Sequence, residues 1–129
     1  MRFLVINIGS SSCKYALFDA NEELVRDENI DVSPNSADVV KYILRQVGNV
    51  DEIGAIVHRL VHGGDEHGIV EEITPDLTAH LAKLTALTPL HSPLAVAVIQ
   101  IFAEFLPTKK QYAVFDSGWF KDLLSLIHI

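Results

Sequence analysis

The first part of the chain consists of short apolar runs separated by turn residues. Residues 3–8 (FLVINI) and 13–18 (CKYALF) have the apolar, β-rich character of buried strands. Gly9-Ser10-Ser11-Ser12 between them is a group of turn residues, so the two strands are predicted to form a hairpin. After a second turn at Asp19-Ala20-Asn21, residues 23–32 indicate a more polar strand near a sheet edge. The pattern predicts a meander of three antiparallel strands.

The middle of the chain changes to a helical period. Apolar positions recur on one face of residues 37–47, with Ser36 as the predicted N-cap and Gly48 at the end of the helix. Residues 53–61 are rich in β-branched side chains and predict another strand.

Two more helices and a last strand are predicted in the remaining part. Thr74-Pro75-Asp76 combines a cap, a proline at the first helical position and an acid in the first turn, so a helix begins there. Ser92-Pro93 repeats this signal before a helix over residues 93–105, and residues 111–115 predict a buried strand. A meander followed by alternating helices and strands predicts an α/β domain with a mixed sheet and flanking helices.

Composition narrows the classes of partner. The net charge is −7, with ten basic and seventeen acidic residues, so nucleic acid is not an expected partner. A single cysteine, Cys13, excludes an internal disulfide and fits a reducing cytosol. No apolar run reaches the ~18 residues that a membrane helix needs, and residues 1–8 lack the features of a secretory signal. We expect a soluble, cytoplasmic protein without a membrane partner.

The first candidate for chemistry is the polar segment around the predicted hairpin turn. Asn7 interrupts an apolar strand, and a buried amide must be hydrogen-bonded or face a site. The turn that follows, together with Lys14, offers N–H donors, hydroxyls and a cation, which suit a phosphate. The alternative is a plain hairpin turn whose serines bond their own backbone.

The second candidate is Arg59, which stands in an apolar strand before Gly63-Gly64. Alternation along the strand places His58 on one face and Arg59 on the other. A guanidinium there needs an anionic partner or a cleft, and it matches a carboxylate or phosphate. The alternative is a salt bridge to a nearby acid, namely Asp65, Glu66, Glu71 or Glu72. His58 and His62 are a weak metal signal without a third ligand.

Two further candidates lie at element ends. His91 stands between Pro89 and Pro93 at a helix start, where it could meet charge on a phosphoryl group. Asp116 follows the last buried strand, a place that suits Mg²⁺ binding or orientation of a nucleophile. The alternatives are a rigid connector for His91 and a turn cap for Asp116.

Each signal alone is weak, but their order along the chain is specific. The segments FLVINIGSSSCKYALFD (3–19), VHRLVHGG (57–64), PLHSP (89–93) and YAVFD (112–116) resemble successive N-terminal motifs of acetate kinase. The resemblance implies a ribonuclease H-like (actin-like ATPase) domain. It also implies a carboxylate kinase that transfers a phosphoryl group from ATP to acetate with Mg²⁺. The second segment is less similar to butyrate kinase, and propionate kinase stays open.

The resemblance implies a role for each candidate residue. Ser10, Ser12 and Lys14 would lie in the phosphate-binding turn, and Asn7 would lie there and near the magnesium ion. Arg59 would bind the carboxylate or acyl phosphate. His91 would stabilise the transferring phosphoryl group, and Asp116 would be the catalytic carboxylate. The implied partners are acetate or another short carboxylate, ATP or ADP, and a second subunit in a full-length homodimer.

The chain departs from the family pattern at its end. Ser92 stands where the family usually has Asn, and Ser117-Gly118-Trp119-Phe120 replaces Thr-Ala-Phe-His. Residues 121–129 have no evident family counterpart. We therefore expect residues 1–120 to be an incomplete first domain, without the second nucleotide-binding lobe and inactive alone. The alternative from another class is a non-catalytic fragment or interaction domain.

Overall fold

A mixed β-sheet organises the protein. The computed structural model describes residues 1–8, 12–31, 35–60, 70–87 and 93–114, and gives only the backbone of residues 84–87 and 93. The described strands are β1 (Arg2–Ile8), β2 (Ser12–Phe18), β3 (Leu24–Asp31), β4 (Ile53–Arg59), β5 (Val70–Glu72) and β6 (Gln111–Val114). Their order across the sheet is β3-β2-β1-β4-β6-β5.

The strand directions confirm the predicted meander and mixed sheet. β1 pairs antiparallel with β2, and β2 pairs antiparallel with β3. On its other side β1 is parallel to β4, and β4 is parallel to β6. β3 lies at one edge and is largely exposed, as its polar sequence predicts.

Three described helices cover one side of this sheet. They are α1 (Ser36–Val47), α2 (Pro75–Leu87) and α3 (Pro93–Phe105). The predicted cap of α2 is confirmed, because the Leu77 amide donates to the Thr74 hydroxyl at 3.1 Å. Gly48 ends α1 with a φ of 83°, and its N–H donates to the Leu44 carbonyl. Glycine adopts this left-handed conformation without a steric penalty.

The N-cap of α1 differs from the prediction by one residue. Asn35 is extended, and its side chain accepts a hydrogen bond from the Ala37 amide at 2.9 Å. Ser36 is therefore the first helical residue and does not cap the helix. Asn and Ser cap helices about equally well, so the sequence alone does not tell whether Asn35 or Ser36 is the cap. The backbone conformation decides it, because the cap is the last non-helical residue.

Strand β5 was not predicted. Its three residues read VEE, which is too short and too polar to show a strand pattern. The strand exists because its backbone pairs antiparallel with β6, from Val70 opposite Val114 to Glu72 opposite Tyr112. A long-range pairing of this kind has no local sequence signature.

The two faces of the sheet carry separate apolar clusters. On the side covered by the helices, called here the helix face, the largest buried side chains include Leu4, Ile6, Tyr15, Ile43, Ile56 and Phe102. On the opposite face, Phe3, Val57, Tyr112 and Val114 are buried together. Full burial of such a side chain contributes roughly 1.5–3 kcal/mol. Sheet alternation thus decides which residues stand near the helices and which do not.

A polar cluster fastens β3 to the helix layer. Both carboxylate oxygens of Glu28 accept hydrogen bonds, from the Tyr15 hydroxyl at 2.9 Å and the Tyr42 hydroxyl at 2.6 Å. These bonds, that from Tyr42 first, lower the pKa of Glu28. Arg26 joins the cluster by donating to the Tyr15 oxygen at 3.1 Å. Because Tyr15 belongs to β2 and Tyr42 to α1, the cluster links β2, β3 and α1.

Within the described part of the chain, no helix has the length and apolar character to cross a bilayer.

Candidate active site

Three of the candidate residues lie side by side on the opposite face of the sheet. Asn7 of β1 is in register with Lys14 of β2 on one side and with Arg59 of β4 on the other. The same cross-strand row continues to Asn29 beyond Lys14 and to Val114 beyond Arg59. We call the three central residues, Lys14, Asn7 and Arg59, the polar row.

The polar row stands at one end of the sheet. Asn7 and Arg59 are at the carboxyl ends of the parallel strands β1 and β4, where ligands bind in open α/β sheets. Adjacent strands are ~4.8 Å apart, so the three strands that carry the polar row leave room for a small anion flanked by side chains of the row. All three side chains are exposed, although the strands around them are buried.

Electrostatics in the polar row favour an anion. A lysine and an arginine flank an uncharged amide, and Ser12 lies on the same face as Lys14, two residues earlier along β2. The guanidinium donates two parallel hydrogen bonds to a carboxylate or phosphate, whereas the ammonium acts as a point charge. The arrangement is suited to an anion with several oxygens.

Of the four acids considered as salt-bridge partners of Arg59, the structure describes Glu71 and Glu72. Glu71 is in register with Ala113, which puts it on the helix face, away from the Arg59 side chain. Glu72 lies beside Lys110, with an oxygen 4.0 Å from the Lys110 nitrogen. Asp65 and Glu66 lie outside the described residues.

His58 faces the other way, as the alternation predicts. It is 2% exposed, and its Nε2 lies 2.6 Å from Oε1 of Gln111. The Gln111 amide nitrogen donates to the Ile99 carbonyl at 3.1 Å, so the amide oxygen must point to His58 and accept from its Nε2–H. Burial lowers the pKa of His58 to about 4, and the hydrogen bond opposes that change. The ring is neutral, and its Nε2 is engaged with Gln111 rather than with a metal.

Gln111 is a buried polar residue that the sequence analysis did not single out. It begins an apolar strand and is 6% exposed. Like Asn7, it is a lone amide next to apolar strand residues, but its partner His58 lies 53 positions away.

Other candidates lie outside the described residues, namely Ser10, His62, His91, Ser92 and Asp116. Their predicted roles stay predictions. Among the described residues, no group of three or more His, Cys, Asp or Glu side chains could hold a metal ion. Cys13 is buried, and burial raises its pKa to about 11, so it is not a reactive thiol.

The fold and the polar row together define a class of protein. A meander joined to parallel strands, with helices on one face of the sheet, is the actin-like ATPase fold predicted above. A sequence model of the Acetokinase family matches residues 26–125. The chain belongs to this family, which confirms the resemblance found in its motifs.

Individual relatives agree. An acetate kinase of Bacillus cereus is 32% identical over an alignment of 147 positions, which covers 92% of this chain and 37% of that protein. The crystal structure of Porphyromonas gingivalis acetate kinase superimposes with a TM-score of 0.76 at 27% identity, over 93% of this chain and 38% of that one. The crystal structure of a propionate kinase from Francisella tularensis superimposes with a TM-score of 0.71 at 26% identity, over 89% of this chain and 36% of that one. The chain thus spans well under half the length of the relatives it matches.

Proposed function

We propose that this chain forms one side of the active site of a kinase that transfers the γ-phosphoryl group of ATP to acetate, giving acetyl phosphate and ADP. The observation that supports the proposal is the polar row, in which Asn7 and Arg59 stand in register at the carboxyl ends of two parallel strands and Lys14 lies beside Asn7. The family membership gives the reaction class.

In this reaction an acetate oxygen attacks the γ-phosphorus from the side opposite the ADP oxygen. The new P–O bond forms as the bond to ADP breaks, and its electron pair stays on the ADP oxygen, so no proton has to move. Catalysis of such a transfer depends on positioning and on stabilising charge. Arg59 would hold the carboxylate, while Lys14, Ser10 and Ser12 would bind the phosphates of ATP.

The remaining roles rest on residues outside the described part. His91 would donate to the transferring phosphoryl group, and Asp116 would act as the catalytic carboxylate. Asp116 follows two positions after Val114, which is in register with Arg59.

The donor set of this chain fits Mg²⁺ bound together with a nucleotide. Mg²⁺ prefers oxygen ligands and binds through one or two carboxylates with substrate phosphates. Asn7 offers an exposed amide oxygen in the polar row, and Asp116 would add a carboxylate. The ion would neutralise charge on the phosphates during transfer.

Propionate is the second candidate substrate, since a propionate kinase superimposes nearly as well as an acetate kinase. Both substrates offer the same carboxylate to Arg59 and differ by one methylene. A non-catalytic interaction domain is the candidate from another class, and the absence of any acyl phosphate or ATP binding would favour it.

A binding experiment on this chain tests the proposal. ¹⁵N-labelled protein is titrated with acetyl phosphate and, separately, propionyl phosphate, while the Arg59 Nε–H and Asn7 amide signals are followed by NMR. Loss of a charged hydrogen-bonding pair costs about 1.5–3 kcal/mol, so Arg59→Ala is expected to weaken binding by about 10- to 100-fold. The matched control is Arg45→Ala, which removes an exposed arginine from α1. Unchanged affinity of Arg59→Ala, with a normal fold, would disprove the role of Arg59.

A further inference from the structure

The buried chain of hydrogen bonds from His58 through Gln111 to Ile99 joins three elements of the fold. Nε2–H of His58 on β4 donates to Gln111 on β6, and Gln111 donates to the Ile99 carbonyl in α3. The His58 ring also packs edge-on against Phe102 of α3, with ring centroids 5.7 Å apart. We call these three linked groups the buried link.

The buried link crosses β4 and β6 diagonally. His58 is in register with Ala113, and Gln111 is in register with Ile56. A bond between His58 and Gln111 therefore reaches two positions along the partner strand, and it holds its length and direction in one alignment of the two strands only. At the far end of the same strand pair, the Leu60 amide donates to the Val114 carbonyl at 2.8 Å.

Apolar packing alone would not demand this alignment so strictly. Buried polar pairs are often replaceable by apolar residues of similar volume without loss of stability, because apolar contacts are non-directional and the desolvation cost disappears. A hydrogen bond in a low-dielectric core is directional, and an unpaired partner there is costly. The position of a polar pair here, one residue before Arg59, indicates a geometric role.

We propose that the buried link positions Arg59, by holding the ends of β4 and β6 in register beneath the polar row. His58 and Gln111 are positioning residues and touch no substrate. Arg59 is next to His58 in β4 and in register with Val114, the fourth residue of β6, which begins at Gln111. The alignment of β4 with β6 therefore sets where the Arg59 guanidinium stands relative to the end of β6. The inference depends on the proposed function in one respect only, which is the identity of the anion that Arg59 would bind.

The test compares two kinds of variant in this chain. The double variant His58→Met/Gln111→Met replaces the polar pair with flexible apolar side chains, so neither position carries a side-chain donor or acceptor. The single variant His58→Gln keeps an N–H donor near the position of Nε2 and serves as the conservative control. Thermal unfolding measures stability, and native-state amide exchange measures alignment.

The expected results separate positioning from simple stabilisation. In the double variant the thermal midpoint should stay near that of the natural chain, whereas exchange of the Leu60 amide should accelerate at least tenfold. The Ile56 amide, which donates to Lys110 at the other end of the strand pair, is the internal reference and should change less. His58→Gln should keep the slow exchange of Leu60. Leu60 exchange at the natural rate in the double variant would overturn the proposal. So would Leu60 exchange in His58→Gln that is as fast as the rate expected for the double variant.

Two further measurements keep the outcome interpretable. If the double variant does not fold, the long-range ¹H–¹⁵N spectrum of natural His58 decides, because the link requires a protonated Nε2 and an unprotonated Nδ1. The opposite tautomer would overturn the proposal.

Acetyl phosphate affinity should fall at least fivefold in the folded double variant. If the natural chain binds no acetyl phosphate, the proposed function loses its support, while Leu60 exchange still decides the positioning role.

Discussion

Asn7 and Arg59 are 52 positions apart in sequence and directly opposite each other in the sheet, at the carboxyl ends of two parallel strands. Lys14 stands on the other side of Asn7. The hairpin between β1 and β2 and the parallel crossover to β4 thus bring one amide and two cations into one row.

Lys14→Gln should weaken ATP binding by about tenfold, because it removes a point charge next to the phosphates but keeps the side-chain length. The salt dependence of binding should also decrease, since fewer counter-charges contribute to the interaction. Calorimetric titrations with ATP at about 0.05 M and 0.2 M NaCl check both effects. The control Lys41→Gln removes an exposed lysine from α1 and should leave both quantities unchanged. Equal effects of the two variants would point to general charge attraction instead of a site.

Stability should fall between about pH 6.5 and pH 4 because of His58. Above the ordinary pKa of 6.5 the ring is neutral in both the folded and the unfolded state. Below pH 6.5 the ring is protonated in the unfolded chain, whereas in the folded chain it stays neutral down to about pH 4. The loss in the free energy of unfolding across this window is on the order of 3 kcal/mol. The neighbours Gln111 and Phe102 do not titrate.

Urea unfolding at several pH values measures this loss, with His58→Gln as the comparison. That variant lacks the titrating ring, so its stability should vary much less over the same window. The titration of Glu28, whose pKa is lowered, contributes below pH 4.5 and can be separated. Parallel pH profiles for the two proteins would contradict the assignment.

Asn35→Ala should lower the free energy of unfolding by about 1 kcal/mol, because the Ala37 amide loses its capping acceptor. Ser36→Ala is the matched control and should change stability by no more than about 0.5 kcal/mol. Chemical unfolding followed by circular dichroism distinguishes the two. A larger cost at Ser36 would mean that the sequence-based cap was right after all.

The 129-residue polypeptide alone should form no acetyl phosphate from ATP, Mg²⁺ and acetate. It covers 37% of the length of an acetate kinase relative, and loss of a single transition-state donor already lowers rates by about 10²–10³. A hydroxamate assay detects the product. Measurable turnover would show that the polar row works with groups of this chain alone.

The chain should self-associate at micromolar concentration. β3 is an edge strand of the described sheet, and its side chains Leu24 and Val25 are 52% and 44% exposed. Exposed apolar side chains on an edge strand promote association between chains. Leu24→Lys should reduce the association seen by sedimentation velocity, whereas Gln100→Lys on α3, with the same change in charge, should not. A monodisperse natural chain would contradict this prediction.

Local patterns in the sequence determined most of the secondary structure. Apolar runs, turn residues and helix caps marked five of the six described strands and the three described α-helices, because these signals act over a few neighbouring residues. Alternation also placed His58 and Arg59 on opposite faces of their strand. The family followed from four ordered motifs, and the family model confirms it.

Only the tertiary structure decided what depends on pairing between distant segments. Strand β5 exists through its bonds to β6, and the partner of His58 is Gln111. The register of β1 with β4 put Asn7 beside Arg59 rather than one position away, where the side chain would face the helices. These relationships come from burying two different faces of one sheet at the same time, and no short stretch of sequence contains both partners.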